Sequence, residues 1–259
     1  MLQKRQSGIF DRSGDSKSAI TTLTHDYPAG HVIPLHFHHR DQLVYASRGV
    51  MTVGTRRDGT WVVPPHRAVW IPAEIPHTIT MSGLVAMRTL YLKARLTKGL
   101  PRDCCVINVS TLLKELILHA CTVHALKKAV KWQAHLVAVI LHQLEAAPTI
   151  PLQLPHLSDP RLVRIAEMLK RDPGDCQTLA ELCRVTGAGK RSVERLFQRE
   201  IGMTFGKWRQ QVRLMQGMRL LAEGAKVTHA ALESGYSTPS AFISMFRKAL
   251  GTTPTSYFR

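Results

Sequence analysis

An internal repeat in the C-terminal hundred residues constrains this chain more than any other feature of its sequence. One copy, residues 178–202, reads TLAELCRVTGAGKRSVERLFQREIG, and the other, residues 228–251, reads THAALESGYSTPSAFISMFRKALG. Apolar and glycine positions of the first copy recur 49 residues later, namely Val193, Leu196, Phe197 and Gly202 as Phe242, Met245, Phe246 and Gly251. Each copy has two apolar stripes of helical spacing with a glycine-containing turn between them. The repeat therefore predicts two helix-turn-helix units.

Residue types at the expected helix ends support these boundaries. Thr178 followed by Glu181 has the pattern of a capping box. Thr228, 50 residues later, is predicted to cap the matching helix of the second copy. Pro239, directly after a threonine, is typical of the first position of a helix. We expect Ala249 to point inward with the apolar positions of that last helix.

The second helix of each unit is expected to meet DNA. In such units this helix enters the major groove, where arginine can pair with guanine and glutamate can accept from cytosine. The exposed face of the first unit is predicted to present Lys190, Arg191, Ser192, Glu194, Arg195, Gln198 and Arg199. The second is predicted to present Pro239, Ser240, Ile243, Ser244, Arg247 and Lys248. We expect direct base contacts mainly from the first unit and phosphate contacts from the second.

A spacer helix is predicted between the two units, from Thr204 to about Ala222. Its apolar stripe contains Phe205, Trp208, Val212 and Met215. About nineteen residues rising roughly 1.5 Å each give near 28 Å, against roughly 34 Å for one turn of B-DNA. A stiff helix of this length favours placement of both second helices in successive major grooves. The alternative is an ordinary helical bundle whose basic faces are only solvated.

The charge of the chain agrees with a polyanionic partner. There are 35 Lys and Arg against 18 Asp and Glu, a formal net charge of +17, and a cationic surface attracts nucleic acid or an anionic membrane. A basic surface that is merely solvated is the alternative. Residues 156–259 carry +8 and residues 1–155 carry +9, so charge alone does not indicate which half binds DNA.

Four regions follow one another along the chain. Residues 1–100 contain short segments rich in Val, Trp, Tyr and Ile, which predict a β-sandwich or barrel. Residues 101–146 show helical spacing and form a helical connector, either a lid on the β-domain or a dimerisation surface. Residues 147–158, with three prolines, are the predicted linker. Residues 159–259 form an all-α domain, with Asp159 and Pro160 at the start of its first helix.

The C-terminal sequence resembles the DNA-binding domain of the AraC/XylS family of bacterial regulators. The segments GMTFGKWRQQVRLMQGMRLL (202–221) and ALESGYSTPSAFISMFRKALGTTPTSYFR (231–259) carry the resemblance, which extends over residues 178–258. It implies base contacts from Arg191, Glu194, Arg195, Pro239, Ser240 and Ser244. Two positions depart from the family pattern. Gly189 stands where a serine usually caps the recognition helix, and Ser244 where a longer basic residue is common.

The N-terminal region resembles a cupin. GHVIPLHFHHRDQLVYASRG (30–49) is similar to the first cupin motif and PAEIPH (72–77) to the second. The resemblance implies a β-barrel with a metal held by His36, His38, Gln42 and His77. Gln42 stands where the family has a glutamate ligand, and Glu74 where it has a glycine. A cupin followed by helices is similar to a subgroup of AraC-type regulators with a cupin sensor.

The histidines also have a chemical logic of their own. Because side chains alternate along a strand, His36 and His38 are expected on one face of the sheet. His77 from a later strand completes a set suited to a divalent metal ion. A neutral amide at Gln42 is a weaker donor than a carboxylate, so metal-free histidines that hydrogen-bond or contact a ligand are the alternative. We expect His25, His31 and His39 to lie at the surface.

Together these features predict an α+β fold with a cupin-like β-barrel, a helical connector and an all-α domain with two helix-turn-helix units. The predicted function is a sequence-specific transcription regulator whose binding to double-stranded DNA is modulated by a small molecule or metal. An activator is expected, with repression as the alternative. A homodimer and a contact with RNA polymerase are expected. The alternative is a metal-dependent cupin enzyme, a dioxygenase or isomerase with a helical appendage. Gln42 disfavours it, because a redox iron site normally has an anionic ligand.

The remaining composition indicates the compartment. Five cysteines, an odd number without a Cys-x-x-Cys pair, argue against a disulfide framework and a zinc ribbon. The first residues, MLQKRQSGIFDRSGD, have no apolar run typical of a signal peptide, and no window approaches the length of a membrane span. We therefore expect a cytoplasmic protein without a membrane partner.

Overall fold

The computed structural model describes residues 17–55, 59–150 and 152–258 of the chain. These residues divide into two compact bodies. The N-terminal body contains residues 17–55, 61–150, 152 and 153, and the C-terminal body contains residues 154–258 together with residues 59 and 60. None of the helices in the described part of the chain combines the length and apolar character needed to cross a lipid bilayer.

An antiparallel sheet forms the N-terminal body. Its strands are β1 (Ile20–Tyr27), β2 (Val32–His36), β3 (Asp41–Thr55), β4 (Gly59–Val63), β5 (Arg67–Ile71), β6 (His77–Leu92), β7 (Cys105–Asn108), β8 (Ala125–Leu126), β9 (Thr149–Ile150) and β10 (Gln153–Pro155). The order is β8-β1-β6-β3-β5-β7-β9, with β2 beside β6 and β4 beside β3. Among the described residues this path does not close, so the predicted barrel is an open sheet that is consistent with a cupin-like jelly roll.

Strands β3 and β6 are the longest, and they pair from Asp41 opposite Leu92 to Thr55 opposite His77. The register shifts near Gly49, whose φ of +80° is in the left-handed region. A Cβ atom there would lie 2.4 Å from the Leu84 carbonyl oxygen. A glycine is required at this bulge because only glycine tolerates both the backbone conformation and the close strand.

Two helices cover one side of this sheet. Helix α1 (Thr111–Val123) begins at Ser110, whose side chain accepts a hydrogen bond from a backbone N–H, and α2 (Lys131–Glu145) follows. Ile117 and Ile140 are fully buried and belong to the same apolar cluster as Trp70 of β5. The inner face of residues 101–146 therefore packs on the sheet, as the interpretation of this segment as a lid predicts. That segment also contains β7 and β8, and the proline-rich segment 147–158 contains β9 and β10.

The C-terminal body is helical. Its helices are α3 (Pro160–Arg171), α4 (Leu179–Thr186), α5 (Lys190–Ile201), α6 (Phe205–Ala222), α7 (Val227–Glu233), α8 (Pro239–Leu250) and α9 (Pro254–Tyr257). Helices α4 and α5 form the first helix-turn-helix unit, and α7 and α8 form the second. Helix α6 is the predicted spacer, with 18 residues.

The capping residues predicted from the sequence start their helices, with the exception of Thr228. The Thr178–Glu181 capping box starts α4, and Gly187 ends it in the left-handed conformation. The prediction that Thr228 caps α7 is wrong, because Lys226 occupies the capping position and provides no side-chain hydrogen bond. Gly224, with a φ of +90°, reverses the chain after α6 and lets α7 start earlier than expected. Ala249 is exposed, contrary to the inward position expected for it.

Aromatic side chains fill the C-terminal core. Phe197 of α5 and Trp208 of α6 are fully buried, with ring centroids 5.6 Å apart. Phe242 of α8 lies against Gly217 of α6, where a Cβ atom would be only 2.6 Å from a ring carbon. Helix α6 therefore packs against the recognition helices of both units, and the glycine sets its distance from the second.

We predict that Gly217→Ala destabilises the protein. The added methyl group overlaps the buried Phe242 ring, and this outweighs the better helix propensity of alanine, for a net loss of about 1 kcal/mol. Gly206→Ala is the matched control in the same helix, since nothing lies within 4 Å of its added methyl group. It should leave stability unchanged or raise it by up to about 1 kcal/mol. Urea unfolding followed by circular dichroism measures both, and shifts of the same sign would contradict the packing.

Candidate nucleic-acid interface and histidine cluster

The exposed face of α5 contains the side chains that the sequence predicted for it. Lys190, Arg191, Glu194, Arg195, Gln198 and Arg199 are exposed, and Ser192 is half-buried. The opposite face buries Val193, Leu196 and Phe197 in the core. Lys190 and Glu194 lie one helical turn apart, with Nζ and Oε1 4.0 Å from each other, and both side chains are more than half exposed. Three arginines and a lysine thus share a single outward surface.

The corresponding surface of α8 is less charged. Ser240, Ser244, Arg247 and Lys248 are exposed, and Pro239 and Ile243 are half-buried. With Thr253 from the following turn, five of these residues line a shallow groove: Ser240, Ile243, Ser244, Arg247 and Lys248. Thr238 caps the helix by accepting a hydrogen bond from the backbone N–H of Ala241. By contrast, Gly189 at the start of α5 provides no side-chain cap.

The sequence analysis did not single out two arginines of α6 that contact the turn before α4, and one of them, Arg213, also contacts the second unit. The Arg213 guanidinium donates to the Asp175 carbonyl oxygen (2.9 Å) before α4, and its central carbon lies 5.8 Å from the centre of the Tyr236 ring between α7 and α8. Arg209 donates to the carbonyl oxygens of Gln177 (2.5 Å) and Asp175. Burial lowers the pKa of Arg209, and the neighbouring Arg213 lowers it further. The signal available in sequence was a pair of arginines four residues apart on the spacer helix.

We predict that Arg213→Met loosens the turns that this side chain contacts. Loss of a charge-assisted hydrogen bond and of the contact with Tyr236 should speed hydrogen exchange in residues 175–186 and 234–238 by about tenfold. Lys207→Met, at an exposed position of the same helix, removes an equal charge and should leave these rates within about twofold. Exchange measured by mass spectrometry on the full chain distinguishes the two. Equal protection in both variants would show that Arg213 does not hold the turns.

The three predicted histidines meet in the N-terminal body. His36 is the last residue of β2 and lies directly opposite His77, the first residue of β6. Their ring centroids are 4.3 Å apart, and the His38 ring lies 4.9 Å from His36 and 5.5 Å from His77. One ring nitrogen from each residue lies within 4.8 Å of the others. His38 reaches the cluster from the turn after β2, not from the strand itself.

Backbone contacts fix the orientation of two of these rings. The Nδ1–H group of His36 donates to the Pro34 carbonyl oxygen (2.7 Å), and that of His77 donates to the Ile75 carbonyl oxygen (2.9 Å). Because a carbonyl only accepts, the lone pair of each neutral ring is on Nε2. Burial lowers the pKa of His36, and burial with the nearby His36 lowers the pKa of His77 to about 3. Both imidazoles are therefore neutral near pH 7, which is the form that binds metals.

Gln42 lies beside this cluster. It is 1% exposed, and its Nε2 atom donates a long hydrogen bond (3.5 Å) to the hydroxyl of Tyr91, its neighbour across β3 and β6. The Tyr91 ring in turn lies 4.8 Å from the His38 ring. The structure thus brings the three predicted histidines together, and Gln42 is linked to them through Tyr91. His25, His31 and His39 are exposed, as expected from the sequence, and His39 instead pairs with Glu74 (2.6 Å).

Comparison with known families agrees with both bodies. Residues 19–147 match the family described as AraC-like ligand binding domain, and residues 182–259 match the family described as helix-turn-helix domain. The chain belongs to the AraC family of DNA-binding transcription regulators, with an N-terminal ligand-binding domain. The resemblance to this family stated from the sequence is confirmed.

Individual relatives show how far the similarity extends. The chain is 32% identical over 257 residues to the HTH-type transcriptional regulator NimR of Escherichia coli strain K12, covering 99% of this chain and 93% of that protein. It is 35% identical over 80 residues to the HTH-type transcriptional activator RhaR of Mannheimia succiniciproducens, covering 30% of this chain and 29% of that protein. A solved structure of ToxT from Vibrio cholerae matches 93% of this chain and 98% of its own, with 11% identity and a TM-score of 0.40.

Proposed function

We propose that this regulator recognises its operator mainly through α5. The residues that contact bases or adjacent phosphates in this proposal are Lys190, Arg191, Ser192, Glu194, Arg195 and Gln198. Five of these six residues are exposed, on a helix whose other face is buried. This supports the assignment, because an exposed helix face rich in arginine suits the major groove. The single observation that carries the proposal is this basic outer face within a helix-turn-helix unit of a DNA-binding family.

Helix α8 takes the supporting part in this proposal. Pro239, Ser240, Ser244 and Arg247 approach the neighbouring major groove, with Arg247 on a phosphate and the serines close to the backbone or bases. At about 1.5 Å per residue, the 18 residues of α6 span about 27 Å, comparable to the roughly 34 Å between successive grooves on one side of B-DNA. One chain would then read two groove segments of the same operator.

The N-terminal body acts as the sensor in this mechanism. A ligand that binds one arrangement of the protein more tightly than another shifts the population towards it, and DNA affinity changes by the same linkage. We propose that the chain works as a homodimer, for which Leu112 (52% exposed) and Trp132 (50% exposed) on α1 and α2 offer an apolar outer surface. We also propose that it activates transcription through RNA polymerase and acts in the cytoplasm, where the chromosome lies.

An enzymatic role for the histidine cluster is not part of the proposal. The cluster consists of the neutral imidazoles of His36 and His77 and the ring of His38, and the fourth predicted residue, Gln42, is a neutral amide. A redox iron site normally includes an anionic ligand to stabilise the oxidised metal, so the donors favour ligand binding over oxygen chemistry.

We predict that Arg195→Ala weakens binding to the native operator by about 1–3 kcal/mol, the usual cost of losing one good arginine contact to a base. Arg164→Ala is the matched control, since it removes an equally exposed charge from α3. It should change affinity by less than about 0.5 kcal/mol. Gel shifts at fixed salt on operator and unrelated DNA measure both. If Arg195→Ala binds the operator as tightly as the parent protein does, α5 is not the recognition helix.

A further inference from the structure

The histidine cluster has the features of a binding site and not of an ordinary patch of core. His36, His38 and His77 are 8%, 4% and 1% exposed, in a body whose interior is otherwise mostly apolar. Three buried imidazoles that converge within 4.8 Å place several polar nitrogens where water has little access. We propose that these three residues bind one divalent transition-metal ion, and that this ion is the effector, or part of the effector, of the sensor. The effector part rests on the proposed function above.

Two buried polar atoms at the cluster lack a partner among the described residues. They are Nε2 of His77 and Oε1 of Gln42, each on a side chain that is 1% exposed. Folded proteins rarely leave such atoms unsatisfied, because each loses its bonds to water on burial. Both atoms carry a lone pair, so both are suited to a cation and not to a hydrogen-bond acceptor. A metal ion bound by the three histidines would satisfy the Nε2 atom of His77.

The tautomers of the rings fit this role. Since Nδ1 of His36 and of His77 donates to a backbone carbonyl, Nε2 of each ring carries the lone pair. A hydrogen bond from the second nitrogen is the usual support of a metal-bound histidine, because it fixes the ring and makes the ligand more basic. Pro34 and Ile75 provide that support through their backbone, so it does not depend on any further side chain.

The donor set selects the class of metal. Imidazole nitrogen suits zinc, nickel, cobalt and copper, whereas magnesium and calcium require oxygen ligands. Two nitrogens bound to zinc at about 2.1 Å lie about 3.4 Å apart in a tetrahedral site. The nitrogens here are separated by at most 4.8 Å, so short movements of the rings would complete the site. The amide oxygen of Gln42 is the candidate fourth ligand.

A bound metal ion would connect two turns that lie far apart in the sequence. His38 lies in the turn between β2 and β3, and His77 follows the turn between β5 and β6. The backbone N–H of Glu74 in the second turn already donates to the His38 carbonyl oxygen (2.8 Å), and Glu74 has a φ of +65°. Binding of an ion would hold both turns in one arrangement, which gives a ligand-dependent state for the sensor.

Metal titration of the full chain tests the site. After treatment with a chelator, the protein should bind one Co²⁺ or Zn²⁺ per chain, and Co²⁺ should give the intense visible absorption of a nitrogen-ligated ion. His36→Ala and His77→Ala should each weaken this binding at least tenfold. His39→Ala removes an exposed neighbouring histidine and should leave it unchanged. Gln42→Glu, which replaces an amide by a carboxylate of the same shape, should tighten it and shift the Co²⁺ spectrum.

The possible results separate the site from its role. Absence of stoichiometric binding, or binding that survives both His36→Ala and His77→Ala, overturns the metal site. Circular dichroism of the metal-free variants shows whether each is folded, and a tightened Gln42→Glu site supports the assignment even if an alanine variant unfolds. For the role, operator affinity measured with and without Zn²⁺ should differ at least fivefold in the parent protein and not in His77→Ala. A metal that binds without changing operator affinity overturns the effector role, whereas a protein that ignores its operator in every state contradicts the proposed function instead.

Discussion

Helix α6 is buried at seven of its positions, and side chains from both helix-turn-helix units pack on it. Trp208 holds α5 through Phe197, Gly217 admits the ring of Phe242 from α8, and Arg213 contacts the turns on both sides. Because these contacts are close-packed, a shift of either unit would open a void or force an overlap in the aromatic core. The placement of the proposed DNA-contacting surfaces therefore depends on the burial of one central helix more than on any exposed residue.

Strand β6 has a similar role in the N-terminal body. It pairs with β1, β2 and β3, so the ends of these strands are positioned by a single continuous backbone ladder. Its first residue, His77, faces His36 of β2, and its Tyr91 pairs with Gln42 of β3. The strand thus brings together side chains from three separate parts of the sequence, and the resulting cluster is held by backbone hydrogen bonds that no side-chain substitution removes directly.

The sequence predicted those elements well whose ends and faces are determined by neighbouring residues. The capping box at Thr178, the cap before Pro239 and the apolar repeat gave both units and the spacer, and the spacing of His36, His38 and His77 gave the cluster. Features set by tertiary contact were missed. The two-residue strands β8 and β9 exist only because a neighbouring strand pairs with each of them. The contacts of Arg213 are with turns that lie 23 and 38 residues away in the sequence. The start of α7 depends on how Gly224 ends α6.

The two units share their buried positions but differ on the outside. The inner frame consists of Val193, Leu196 and Phe197 in one unit and of Phe242, Met245 and Phe246 in the other. The exposed face carries five charged side chains on α5 and two on α8. The residues that form the core and the exposed residues proposed to contact DNA therefore lie on opposite faces of each helix. If both units contact the operator as proposed, the outer residues of one unit can change its preferred bases without disturbing the buried frame that both units share. Related regulators could then acquire new operators by exchanging exposed side chains on an unchanged helical core.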